Sequence, residues 1–422
     1  IVGAGISGFY AATRLIKSGH TVALADKYKF LGGRTFTYKQ DISGTTYQWE
    51  EGAARISNSH TLLLNLVRKY GLTLVPIEAA SEYKESGAYP KEPNWFDPAL
   101  PITFHPLLQL PRSTLATSTI RQILKEIHGE KFTHSLLNRY PYRAEIDVMR
   151  ADMGLEVFKH EFKPGEKYSV LKEGFSELIA RIRTEFEKRG GVILPHHEFV
   201  GLEGERTAIF KKGKPSEGVG RPELKLHADR IILALPSLAL ETLPQFSSLP
   251  FLKHLVMKPL LRVFAVFPKD PTTGKVWFEG MKKFVTATPI RYCIPNDSKT
   301  GSLQISYTDS TDAEPLMAIL KADGEAALGA YLVSQLRILL EDPDGKRIPD
   351  PLFVKAHSWK DGVTYWLPGD YDPYEESRAA CRPFPKERPN LFLCGESYST
   401  RQCWVEGALE HTELMLKEFA SR

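Results

Sequence analysis

Cysteine is scarce in this 422-residue sequence: only Cys293, Cys381, Cys394 and Cys403 occur, and no two stand in a CxxC spacing. That speaks against a disulfide framework and a cysteine zinc site, so four reduced structural thiols and no metal are expected. An excess of one charge is also missing, with 55 basic residues against 51 acidic ones and a formal net charge of +4. So even a balance argues against a nucleic-acid footprint and against a strongly basic membrane patch. No run of about 18 or more apolar residues occurs, so no stable membrane span is expected. Internal repeats and low-complexity segments are absent too. The chain opens on Ile1-Val2-Gly3 without an initiator Met, whereas a strand usually has about five residues. An upstream segment is therefore expected; a targeting signal there would leave the compartment of this soluble protein open. The oligomeric state is open as well.

What is present is a globular composition, 42% apolar and 25% charged. The length exceeds what one core usually supports, so two domains sharing a cleft are expected, with small-molecule chemistry between them. Residues 1–26 read as strand, glycine turn, helix to about Ser18, and strand, a βαβ opening. Further helices are expected over 60–70, 176–188, 326–340 and 405–419. Strands are expected over 192–194, 197–202, 230–235, 260–267 and 391–394, with an exposed hairpin loop over 211–221 and a turn-rich linker over 342–351. The stretch 77–110 is rich in proline and aromatic residues, lacks a period, and marks the start of a second, more irregular region.

Gly3-x-Gly5-x-x-Gly8 allows a tight turn, close approach of backbone to a pyrophosphate, and helix packed on strand, with phosphate at the helix N-terminus. Asp26 ends the second strand at the distance where a carboxylate takes ribose hydroxyls. Gly3, Gly5, Ile6, Ser7, Gly8, Asp26 and Lys27 are therefore expected at a dinucleotide, which these residues alone do not identify as NAD or FAD. Leu31-Gly32-Gly33-Arg34 follows at once, and there the two glycines permit close approach while the Arg34 guanidinium suits diphosphate oxygens.

With that glycine-glycine-arginine the chain resembles the flavin-containing amine oxidoreductases, the group of monoamine oxidases, polyamine oxidases and L-amino-acid oxidases. Further segments keep that family's order: Glu51-Gly52-Ala53-Ala54-Arg55-Ile56, Lys172-Glu173-Gly174-Phe175, Ala234-Leu235-Pro236, Leu393-Cys394-Gly395-Glu396 and Trp404-Val405-Glu406-Gly407-Ala408. The resemblance spans both ends of the chain and fades over about 80–165 and 270–350. It implies non-covalent FAD held by Gly33, Arg34, Gly52, Ala53, Ala54, Arg55, Val200, Gly395, Glu396, Trp404 and Val405 besides the residues of the first turn. It also implies an α/β fold, a Rossmann-like FAD-binding domain interleaved with a smaller α+β substrate domain. The former is expected from 1–75, 165–245 and 352–422, the latter from 76–164 and 246–351.

Departures from the family pattern shape the expected chemistry. The stretch 359–369, comparable to the family's covalent attachment segment, has no Cys, so no thioether is expected there. Arg262 stands where the family usually has a Lys beside the flavin, which puts fast reaction with oxygen in doubt. Trp404 fits one of the two aromatic walls that frame the substrate amine, and Tyr365 or Trp366 the other. Arg55 matches the arginine that L-amino-acid oxidases use on the substrate carboxylate. The leading expectation is thus oxidation of a small amine or L-amino acid through Arg55, Arg262, Trp404 and Tyr365 or Trp366, with molecular oxygen a candidate acceptor. A polyamine, porphyrinogen or polyene substrate, or a non-catalytic flavoprotein, stays open beside it.

Overall fold

The computed structural model describes residues 1–78, 80–85, 99–161, 165–214 and 220–421. Part of the irregular stretch expected over 77–110, and the tip of the loop expected over 211–221, lie outside the described residues.

A parallel sheet forms the first framework. Ala23–Ala25 pairs with Val192–Leu194, Ile231–Leu233 pairs with Leu391–Leu393, and Val2 bridges Ala25 on one side and Leu233 on the other. Buried parallel strands read as continuous apolar runs, and all three residues of both Ile231–Leu233 and Leu391–Leu393 are buried. The helices Ile6–Lys17, Phe175–Lys188 and Val405–Ala420 pack around it, their apolar faces joined through Phe9, Phe175, Phe186, Leu409 and Met415. All three sit within a few residues of their expected bounds.

The second framework is a six-stranded sheet in the order Phe353–Trp366, Leu255–Val266, Ser302–Asp309, Tyr292–Asp297, Phe284–Thr286, Glu82–Lys84. All its neighbours are antiparallel except the last pair. Phe353–Trp366, expected among the cofactor-binding segments, pairs along its length with Leu255–Val266 in this sheet. Side chains alternate across a strand, and Leu255–Val266 uses both faces. Leu261, Val263 and Ala265 enter the core under the helix Ser310–Leu339, against Leu303, Ile305, Leu328 and Leu332. Leu260 and Arg262 face the cavity between the frameworks, and Phe264 stacks on Trp49 at 4.7 Å. The long helix bends at Gly324, whose φ of 83° is not helical, and its first half escapes the sequence expectation.

Five further helices that sequence periodicity does not predict, Arg112–Thr117, Ile120–His128, Glu130–Leu137, Ala144–Asp147 and Ala151–Glu161, share a core with Tyr83, Val285 and Tyr292 of the second framework. Among the described residues no helix is long and apolar enough to cross a membrane.

Candidate active site

A cavity of about 1320 Å³ runs between the two frameworks, from the glycine turn at Gly3–Gly5 to Tyr142, Glu145 and Glu161. Single drug-sized ligands usually occupy roughly 300–1,000 Å³, so this space suits a cofactor and a substrate together.

Its first end is shaped by glycine. Gly3 holds a φ of 98°, and a Cβ there would meet the Ala234 carbonyl oxygen at 2.4 Å. At Gly8 a Cβ would stand 1.9 Å from the Gly3 carbonyl oxygen, so this glycine seats helix on strand and does not line the cavity. A Cβ on Gly5 would meet nothing within 4 Å, because it would project into open space. Gly5 is the N-cap of Ile6–Lys17 with no side-chain cap, and Gly5, Ile6 and Ser7 all line the cavity. An uncapped first turn favours an anion. Asp26 accepts from the Ala4 N–H at 2.7 Å and the Tyr28 N–H at 2.8 Å, which fixes its carboxyl at the cavity wall. Burial pushes that carboxyl up, with the two N–H bonds opposing. Lys27, Gly33 and Val200 line the same end.

Across from the turn, Arg34 pairs with Glu396 at 2.8 Å and donates to the Gly362 carbonyl at 3.1 Å. Glu396 also accepts from the Cys403 N–H at 2.8 Å and the Thr364 hydroxyl at 3.2 Å. Gly52 passes so close that a Cβ would lie 2.0 Å from the Arg34 carbonyl oxygen. Trp404 is the uncapped N-cap of Val405–Ala420, and Gly395, Trp404 and Val405 line the cavity, so a second helix N-terminus opens on the same space. In that helix's first turn, Glu406 accepts from the Leu62 and Leu63 N–H groups, each at 2.8 Å, and so caps the helix Thr61–Lys69. Two uncapped helix ends, an arginine and close backbone approach fit an elongated, anionic dinucleotide.

At the other end, Gly52, Ala53, Ala54 and Arg55 line the wall. Their segment is anchored by Arg262, which donates to the Glu50 carbonyl at 3.0 Å, and by Trp359, which donates to the Glu51 carbonyl at 2.8 Å. The Arg262 guanidinium lies over Tyr307 at 4.5 Å, and its Nε has no hydrogen-bond partner. Arg55 sits over Trp404 at 5.1 Å, Tyr168 at 5.4 Å and Tyr142 at 5.5 Å. It makes no hydrogen bond or ion pair with any described residue. Burial works against its charge, yet Tyr142, Glu161 and Tyr168 hold the guanidinium above its ordinary value.

Tyr365 and Trp404 both line this end, whereas Trp366 does not. Trp366 is fully buried, its Nε1 donating to the Ser399 carbonyl at 2.9 Å. Strand alternation is the reason: once Tyr365 faces the cavity, its neighbour must face the core. Tyr142, Glu145, Glu161, Tyr307, Asp309 and Cys403 also line this end, and sequence reasoning missed all six. All four cysteines are free, and burial holds the Cys403 thiol well above its usual range.

A parallel sheet whose glycine turn and flanking helices open on such a cavity defines a dinucleotide-dependent protein class. The chain belongs to the flavin containing amine oxidoreductase family, whose sequence profile matches residues 6–412. FAD is its cofactor. Among relatives, the chain is 29% identical to the L-amino acid oxidase of Cerastes cerastes over 161 residues, which is 35% of this chain and 30% of that protein. A Bacillus subtilis (strain 168) protein, YobN, described provisionally as an L-amino-acid oxidase, is 26% identical over 454 residues, covering 97% of this chain and 92% of its own. Wild-type putrescine oxidase bound to putrescine has the same fold, with a TM-score of 0.70 at 16% identity over 100% of this chain and 98% of that one.

Proposed function

We propose that this flavoprotein oxidises an L-amino acid at the carbon bearing its amine. The observation that carries the reading is Arg55: a charged guanidinium lining the cavity, held by three aromatic rings that leave its N–H donors unused. Such a group is costly to enclose without an anionic partner, and a substrate α-carboxylate is one of matching shape. The relatives described as L-amino-acid oxidases support the same choice.

FAD supplies the acceptor, at its N5, for a hydride from the amine-bearing carbon, and the substrate leaves as an imine that hydrolyses to a carbonyl compound and ammonia, with peroxide where oxygen takes the electrons. Gly5, Ile6, Ser7, Asp26, Arg34 and Glu396 would hold that cofactor, without a thioether from the stretch 359–369, which has no Cys. Arg55 then fixes the carboxylate end of the substrate, while Tyr365 and Trp404 flank the amine end. A wall this aromatic excludes water and favours the neutral amine over the ammonium. The cofactor-binding part is drawn from 1–75, 165–245 and the chain after 366, the substrate-binding part from the six-stranded sheet and the helices that share a core with it. A peroxide-release screen of amino acids against their decarboxylated amines tests the reading, which expects the acids to be preferred.

A further inference from the structure

Beyond Arg55, the substrate end of the cavity carries two carboxyls for which the reaction described above has no use. Glu145 and Glu161 are 4% and 6% exposed, both line the cavity, and neither forms an ion pair with any described residue. The Glu145 carboxyl accepts from the Tyr140 hydroxyl. Glu161 is less provided for, because its Oε2 has no hydrogen-bond partner. Glu161 stands on the helix Ala151–Glu161 and reaches the cavity from there.

We propose that Glu161 and Glu145 form a cation subsite, which receives an ammonium or guanidinium on the substrate's side chain while Arg55 holds its α-carboxylate. The substrate class is then a basic L-amino acid. The carboxylate half of this assignment rests on the amino-acid reading; the cation half does not. A buried carboxyl without a counter-ion either keeps its proton or waits for a cation. Burial first and Glu161 second hold the Glu145 carboxyl well above the usual range, and burial raises Glu161 while Arg55 opposes it. Arg55 is not within ion-pair distance of either acid, so an incoming cation finds both without an ion-pair partner and Glu161 Oε2 without a hydrogen bond.

The test uses the flavin-loaded enzyme and two pairs of probes, L-lysine against L-norleucine and 1,5-diaminopentane against pentylamine. Turnover is read as kcat/KM, and binding as the perturbation of the flavin absorbance, so that an answer does not depend on turnover. The expected result is a lysine-to-norleucine ratio of roughly ten or more, from one charge-assisted contact. That ratio should collapse in Glu161→Gln, shrink in Glu145→Gln, and be largely restored in Glu161→Asp. If Glu161→Gln fails to hold flavin, Glu145→Gln and the wild-type ratio carry the test. A wild type with no preference for the probe bearing the extra ammonium in either pair overturns the subsite, as does a preference that survives both glutamine variants. If diaminopentane is preferred over pentylamine and loses that advantage in Glu161→Gln while neither amino acid binds, the subsite stands and the amino-acid reading falls. If norleucine is preferred over pentylamine but lysine gains nothing further, the reverse holds.

Discussion

Arg34 and Glu396, from near opposite ends of the chain, meet at 2.8 Å on the wall of the cofactor cavity. Glu396 orients the guanidinium and at the same time accepts from the Cys403 N–H, at a residue held in the left-handed region with φ 70°. One ion pair therefore ties this cavity-lining arginine to the turn that delivers Trp404. Replacing Arg34 by Ala should lower flavin occupancy, since one charge-assisted contact of a partly buried guanidinium is worth roughly 1.5 to 3 kcal/mol. The ratio of flavin to protein absorbance in the purified variant checks this; full occupancy would remove Arg34 from the cofactor site.

The two glycines of the first turn should respond in different ways. Gly8→Ala drives a methyl into the Gly3 carbonyl oxygen and should cost about 1 to 3 kcal/mol of stability even without cofactor. Gly5→Ala meets open space at a φ of −75° that alanine adopts, so the cofactor-free protein should keep its stability within about 0.5 kcal/mol while FAD binding weakens. Denaturant midpoints of both apo-proteins and FAD titrations separate the two. Equal destabilisation by both changes would mean that Gly5 is kept for packing and not for a ligand.

Arg262 is clamped between the Glu50 carbonyl and Tyr307, where a lysine would keep the charge but lose the planar stack. Arg262→Lys should speed reoxidation of the reduced flavin by air. Mixing anaerobically reduced protein with aerated buffer measures the rate. Rapid reoxidation of the wild type, unchanged in the variant, would show that this residue does not set the oxygen response.

Acid should loosen the cofactor turn through His411. Burial lowers its pKa from 6.5 to about 4, while its Nδ1 accepts from the Gly395 N–H at 3.3 Å and its Nε2 meets the Ser377 carbonyl at 2.9 Å. A base whose folded pKa is depressed binds its proton first in the unfolded chain, so stability falls as pH drops from about 6.5 towards 4. The loss amounts to about 3 kcal/mol when complete. Glu50 and Asp309, pushed up by burial to about 7 and about 6, act in the opposite sense as pH rises. The informative quantity is therefore the difference between wild type and His411→Gln. Thermal midpoints from pH 7 to pH 4 should fall less steeply in the variant, and parallel curves would contradict the assignment.

The cofactor half of the cavity is legible in the sequence because its chemistry is local. Gly3, Gly5 and Gly8 stand at fixed spacing around one turn, and Asp26 ends the next strand. The substrate half is assembled from long-range register. Whether Tyr365 or Trp366 faces the cavity depends on the pairing of Phe353–Trp366 with Leu255–Val266, which shifts between Lys258 and Leu260. No single-strand pattern shows that. Glu145 and Glu161 sit on short helices whose apolar positions give no long period, and neither helix opens on a capping box like the one that Thr119 and Gln122 form for the neighbouring Ile120–His128. Gly324 hides the first half of the long helix in the same way, by breaking its period.

The most direct measurement compares one L-amino acid with its decarboxylated amine in wild type and in Arg55→Met, with flavin content matched. Loss of one charge-assisted pair, worth roughly 1.5 to 3 kcal/mol, should raise the Michaelis constant for the amino acid by about tenfold or more and leave the amine far less affected. A wild type that prefers the amine, or a variant in which both substrates suffer equally, would contradict the account.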